Sequence, residues 1–226
     1  MKPIVTKKTA PKEVRRPAYC PHYGGNPALN FANTYRKDTK GRPVDELADY
    51  GELSYWCMDK FLIDYELWYA LEIERGCYVQ EAEAAFSEAR GLRTVLSSIF
   101  NSLAAGEAPD KVMLKMFDTR MKKAANYLEY QQFEGKIGQF WVGIDEELLA
   151  PVWMLTVAAA RLMESAEVQN LRKCPVCGVL FVDESRSRTR KWCNPNSCGA
   201  LKKSIAYYAR KNSTKNSPEM AELVIK

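Results

Sequence analysis

A mostly α-helical domain with minor strand, followed by a small cysteine-stapled module, is the fold class that three features of this 226-residue chain predict. Long stretches carry apolar residues at three- and four-residue steps, the period of a helix with one buried face. One segment, around Gly135, is rich in β-formers on both sides of a glycine. Four cysteines stand in two close pairs near the C-terminus.

Residues 1–18 are basic, broken by proline and nearly free of large apolar side chains, the composition of a disordered arm. Tyr23-Gly-Gly-Asn-Pro27 reads as a turn leading into a mixed segment, Ala28 to Tyr35. Asp49 and Glu52 have capping-box spacing ahead of Leu53, Trp56 and Cys57, so a helix is expected there. The clearest period runs Ala82, Ala85, Phe86, Ala89, Leu92, Leu96, Ile99, Phe100, Leu103, one face of a helix of about six turns. Gly106 and Pro109 close it, and Asp110 stands where it can cap a second amphipathic helix through Val112, Leu114, Phe117 and Met121. Tyr127 to Val142, with β-formers on both sides of Gly135, is expected to form a short hairpin. Asp145 is expected to open a long helix carrying Val152, Trp153, Val157 and Met163, with Glu146 and Glu147 in its first turn beside the helix dipole.

The cysteines read Cys174-Pro-Val-Cys177 and Cys193-Asn-Pro-Asn-Ser-Cys198, with fifteen residues between the pairs. Two such turns can bring four thiolates to about 2.3 Å from one Zn2+ ion, a better match to the spacing than an iron–sulfur cluster or two disulfides. Gly178 and Gly199 are expected to take the positive φ that such turns use. Val179 to Val182 reads as a strand, and Asp183 to Arg190 as a basic connector. A helix capped by Asn196 or Ser197 should then run to about Lys211, with Cys198, Leu201, Ile205 and Tyr208 facing the metal and a small core. This is a treble-clef-like plan. It divides the chain into an arm (1–18), a helical domain (19–170), a zinc module (171–212) and a tail (213–226).

A metal held by four sulfurs has no open position for a substrate, and the chain has one histidine and no glycine-rich phosphate loop. An enzyme is therefore not expected. Seven cysteines, an odd number with metal spacing in four, fit a reducing cytoplasm. The longest apolar run, Leu148 to Ala160, is too short to span a membrane.

Charge is distributed unevenly. From Arg172 onward there are 12 Lys and Arg against 4 Asp and Glu, while the net charge of the whole chain is +5. A compact basic module beside an acidic domain is suited to a polyanion, with nucleic acid the expected partner and double-stranded DNA the first choice. The candidate contacts are Arg186, Arg188, Arg190 and Lys191 in the connector and Lys202, Lys203 and Arg210 on the helix. Guanidinium forks pair with phosphate through two parallel hydrogen bonds. The plain alternative is a solvated charged loop, and Trp192 reads as a plug beside the metal rather than a stacking platform.

Cys174-x-x-Cys-Gly, Leu180-Phe-Val-Asp183, Ser185-Arg-Ser-Arg188, Lys191-Trp-Cys193 and Cys198-Gly199 together resemble the CGNR zinc finger of bacterial regulators. Upstream, Gly24-Gly25, Leu29, Phe31-x-Asn33-Thr34, Asp45-x-Leu47 and Leu53-x-x-Trp56 are similar to the ABATE domain that precedes that finger. The resemblance implies a stress-induced transcription regulator with a helical domain of unknown ligand and a finger that binds DNA; the helical domain is then expected to sense an effector or form a homodimer. Where the family carries Cys-Gly-Asn-Arg, this chain has Cys198-Gly199-Ala200-Leu201, and an acidic family position before Phe31 is Asn30.

Asn30, Asn33, Thr34, Arg36 and Asp45, with Asn26 nearby, form a polar cluster that could line an effector pocket against Trp56, or simply satisfy loop backbone. Cys20 and His22 form a pair read as loop chemistry without metal, and Cys57 and Cys77 as small buried groups. Two other classes of function stay open on sequence grounds. One is a structured-RNA or ribosome-associated protein, and the other a zinc-stabilised protein adaptor.

Overall fold

The structure, a computed structural model, describes residues 26–37, 42–133 and 135–215. The basic arm, Cys20, His22 and the tail beyond 215 lie outside the described residues. The elements are α1 (Pro27–Ala32), β1 (Tyr35–Lys37), β2 (Pro43–Asp45), α2 (Tyr50–Asp59), α3 (Tyr65–Cys77), α4 (Val79–Ala105), α5 (Lys111–Ala125), β3 (Leu128–Phe133), β4 (Lys136–Trp141), α6 (Ala150–Glu164), β5 (Leu171–Lys173), β6 (Leu180–Val182) and α7 (Ala200–Lys215). Among the described residues the strands pair as three antiparallel two-stranded sheets, β1 with β2, β3 with β4 and β5 with β6. The chain is mostly helical, as its periodicity predicts.

Local chemistry explains the ends of the elements. Asp49 Oδ1 accepts the Glu52 amide at 2.9 Å, and Glu52 reaches back to the Ala48 amide at 2.6 Å. This closes the expected capping box one residue early. Asp64 caps α3, and Asp110 Oδ1 accepts from Val112 and Met113 at 2.8 and 3.0 Å at the start of α5. Gly106 ends α4 at φ 76, a left-handed cap that glycine takes without strain. Gly135 turns the β3–β4 hairpin at the same φ.

Helix α4, 27 residues long, is the spine. It packs against α1, α2, α3, α5 and α6, and also against β5. Leu92, Leu96, Ile99 and Phe100 of α4 meet Leu29 and Phe31 of α1 and Leu155 and Leu162 of α6 in one core. Each such side chain contributes roughly 1.5–3 kcal/mol by leaving water.

Two expectations are corrected here. Ala28 to Ala32 is a short helix with every side chain buried, capped by Asn26, whose side chain accepts the Ala28 amide at 2.9 Å. Helix α6 begins at Ala150, not at Asp145. Pro151 is tolerated only in the first turn, because it lacks an amide and its ring clashes with the preceding carbonyl. Glu146 and Glu147 consequently lie on the connection before the helix. Tyr50 and Tyr127 hold that connection, donating to Leu148 O at 2.8 Å and to Glu147 Oε1 at 2.9 Å.

The β1–β2 hairpin is tied to α4 by a forked ion pair. Arg93 donates from Nη1 and Nη2 to the two oxygens of Asp45, both at 2.7 Å, and from Nη1 to Thr34 Oγ1 at 3.0 Å. Burial pushes the Asp45 carboxyl up, but hydrogen bonds from Arg93 and the Leu47 amide, with the Arg93 charge, hold it below its ordinary 3.8. A carboxyl lowered on folding stabilises above its unfolded pKa and loses that contribution as pH falls through the folded value. Replacing Asp45 by Asn should cost about 1 kcal/mol near neutral pH, since the Asp45 side chain is about one-third exposed and its pairing is screened by water. In denaturant titrations the gap to wild type should close as pH falls below 3.8.

Candidate metal centre and nucleic-acid interface

Strand β6 belongs to two cores. Leu180 and Val182 point into the helical domain with Leu171 of β5, while Phe181 points the other way and packs with Cys174 and Cys198. A period of two residues dictates this split. Asn33, at the end of α1, clamps the strand from the side. Its Nδ2 donates to Leu180 O at 2.8 Å and its Oδ1 accepts the Leu180 amide at 2.9 Å. The side-chain amide thus completes the ladder of an edge strand.

Between β5 and β6 the chain makes the first cysteine turn. The Cys174 amide bonds Val179 O and the Gly178 amide bonds Cys174 O, both at 2.9 Å, with Gly178 at φ 74. The second pair sits on a different frame. Asn194 caps a wide π-type turn, Pro195–Gly199, by accepting the Asn196 and Ser197 amides, so neither Asn196 nor Ser197 is the cap. That turn delivers Cys198 helically, and Gly199 needs no positive φ; of the two glycines only Gly178 takes one.

The four sulfurs lie within 4.8 Å of one another, with Cys177 to Cys193 at 3.4 Å and Cys193 to Cys198 at 3.7 Å. A tetrahedron of thiolates at about 2.3 Å from zinc has edges of about 3.8 Å. Burial pushes the Cys177 thiol up to about 11, and burial with the neighbouring sulfurs raises Cys193 further. Burial also works against the Cys174 thiolate, yet amides of Cys193, Cys177 and Val176 bring it down to about 7. Such a set holds its negative charge only around a cation, so Cys174, Cys177, Cys193 and Cys198 fit one zinc ion. Trp192, half-buried, packs beside them as a plug.

The basic connector is an ordered loop built on Asp183, whose role the sequence reading missed. Its buried carboxylate accepts the Ser185 amide at 3.0 Å, the Ser185 hydroxyl at 2.6 Å and the Arg190 amide at 2.8 Å. Burial pushes this carboxyl up, but those donors and the charge of Arg172 hold it below its ordinary value. Within the loop Arg188 takes φ 51, a left-handed conformation unusual for a side chain with a Cβ, and its amide bonds Ser185 O at 3.0 Å. Arg186, Arg188 and Lys191 are exposed on this loop. Arg190 is drawn inward instead: its Nε donates to Trp192 O at 2.8 Å and its guanidinium lies 5.1 Å from the Phe181 ring centre.

Helix α7 departs most from expectation. Cys198 faces the metal, but Leu201, Ile205 and Tyr208 are exposed by 40, 54 and 61% rather than forming a small core. Lys202, Lys203 and Arg210 are exposed as well. The strand partner of β6 is β5, upstream of the first cysteine, and Lys191-Trp192 pairs with no strand among the described residues.

Most of the polar cluster proves to be fastening. Asn33 clamps β6, Thr34 donates to Phe31 O at 2.7 Å, Arg36 pairs with Glu46, Asp45 pairs with Arg93, and Trp56 packs on Phe31. Asn30 differs: its amide nitrogen and oxygen are buried with no hydrogen-bond partner among the described residues. Cys57 is buried as expected, whereas Cys77, at the end of α3, is exposed. The sequence around Asn33 carries no signal of its partner, since Leu180 lies 147 residues away, whereas Asp183 braces groups only two and seven residues further on.

Two outcomes are expected. Chelating the zinc should expose amides of residues 184–211 to hydrogen exchange, while Leu171 and Leu180 to Val182 stay protected by the helical core. Asn30→Leu, which removes an unsatisfied buried amide at similar volume, should raise stability by about 1–2 kcal/mol in denaturant titrations.

Comparison with protein-family models finds two matches. Residues 170–211 match the CGNR zinc finger. Residues 25–166 match the ABATE model, described as "Putative stress-induced transcription regulator". A search of curated proteins finds no match. With residues 25–166 matched to one model and 170–211, which hold the four converging cysteines, to the other, the chain belongs to the ABATE family and carries a CGNR zinc finger after that domain.

Proposed function

We propose that this protein is a cytoplasmic, non-catalytic regulator that grips double-stranded DNA through its zinc module, the helical domain serving to sense or to dimerise. The observation that carries the reading is the Asp183-braced loop. It holds Arg186 and Arg188 outward in a fixed arrangement, one of them at a strained φ, on a strand fastened to the helical core. Strain in a loop that presents cations is the kind retained where a ligand is gripped. Ser187 and Thr189, whose hydroxyls lie 2.8 Å apart, add neutral donors of the type that meet phosphate.

The contact set is redrawn by the geometry. Arg190 acts as a strut, because its guanidinium is engaged by Phe181 and Trp192 O. Arg186, Arg188 and Lys191 on the loop, with Lys203 and Arg210 on α7, are assigned to the phosphates. Lys202 is left for another role, argued below. No described helix is long and apolar enough to cross a membrane.

Mobility shifts on duplex DNA test this. Arg186→Glu with Arg188→Glu should weaken binding by at least about tenfold, a loss on the scale of two charge-assisted contacts. Five neutralised phosphates should give a slope of about −4.5 for log K against log salt. Arg190→Glu should instead lower thermal stability. Tighter binding to folded RNA than to duplex DNA would overturn the choice of target.

A further inference from the structure

Two surface features of this chain have no occupant among the described residues, and they are complementary. The first is α7. Leu201, Ile205 and Tyr208 are spaced four and three residues apart, so they form one apolar stripe, and all three are exposed. Lys202 stands at its edge, while Lys203 and Arg210 fall on the opposite face. The helix packs on the π-type turn from which it emerges. A sequence that places a hydrophobic stripe on a helix and leaves it in water usually has a partner for it.

The second feature is a groove of about 570 Å³ between the end of α3, the first turns of α4 and the connection before α6. Tyr78, Ala85, Leu148 and Leu149 make its apolar lining. Around them stand Glu74, Glu81, Glu88, Glu146 and Glu147. Glu88 is paired with Arg120 at 3.1 Å, and Glu147 holds Tyr127. The side-chain carboxylates of Glu74, Glu81 and Glu146 have no hydrogen bond or ion pair with any described residue. Tyr78, Glu81, Ala85 and Glu88 recur at steps of three and four along α4, so lining and rim come from one helix face. The delayed start of α6 at Pro151 brings Glu146 here.

We infer that α7 of one copy of this chain seats its Leu201–Ile205–Tyr208 stripe in the acidic groove of a second copy, and receives that copy's α7 in its own groove. An apolar stripe with a basic edge matches an apolar lining with an acidic rim, the pattern of helix-in-groove recognition. Reciprocal exchange closes under a two-fold axis and uses both features on both copies. Each copy would cover about three large side chains that now face water, and Lys202 would meet uncompensated carboxylates. Lys203 and Arg210, on the far face, remain directed outward, so the assembly does not compete with phosphate contacts and stands or falls apart from the DNA reading.

Sedimentation of the zinc-loaded full chain, without nucleic acid, tests the pairing. Wild type should be a dimer in the micromolar range. Ile205→Asp, at an exposed position, and Glu81→Lys with Glu146→Lys, also exposed, should each raise the dimer dissociation constant by about a hundredfold, since like charges placed opposite one another cost several kcal/mol. Both should keep one zinc per chain, which shows that the fold is intact. Mixing the two variants leaves one helix–groove pair whole and should restore a heterodimer at high concentration. A monomeric wild type overturns the inference. So does a dimer indifferent to the glutamate changes, the result expected if α7 pairs only with α7.

Discussion

Four sulfurs confined within 4.8 Å of one another are the constraint from which the C-terminal third follows. Thiolates that close repel strongly, and only a cation between them makes the arrangement stable at neutral pH. Once they are joined, residues 177 and 193 are fixed in space and the fifteen residues between them become a closed loop. Past strand β6, residues 184–191 have little apolar area of their own, so their shape comes from hydrogen bonds, and Asp183 supplies the acceptors. The same ion anchors Cys198 and thereby fixes where α7 leaves the module.

The metal module is not a bead on a string. Strand β6 alternates Leu180 and Val182 into one core with Phe181 into the other, and Asn33 grips its edge. Through that strand the arginine loop is fastened to α1 and α4 by packed side chains and two hydrogen bonds.

Electrostatics is partitioned along the same lines. The zinc module carries the excess of cations, and the helical domain gathers carboxylates, several of them around one groove. Some charges are used structurally, as in the Arg93–Asp45 fork and the Arg190 strut. Others stay exposed, among them Arg186 and Arg188 of the loop, Lys202 and Lys203 of α7, and Glu81 and Glu146 of the groove. Counting Lys and Arg locates the basic module, but it cannot separate a strut from a contact, because both need the same guanidinium.

Local rules carried far in this chain. Period, caps and cysteine spacing by themselves determined α2, α4, α5, the β3–β4 hairpin and the four metal ligands, because each depends on neighbours within a few residues. The start of α6 could also have been read from Pro151. Tertiary structure alone decided the rest. Asn33, Thr34 and Asp45 became fasteners because strand β6 and Arg93 come to them from 48 to 147 residues away in sequence. Leu201, Ile205 and Tyr208 have the spacing of a buried face, yet they remain in water, since spacing defines a stripe and only packing decides what covers it.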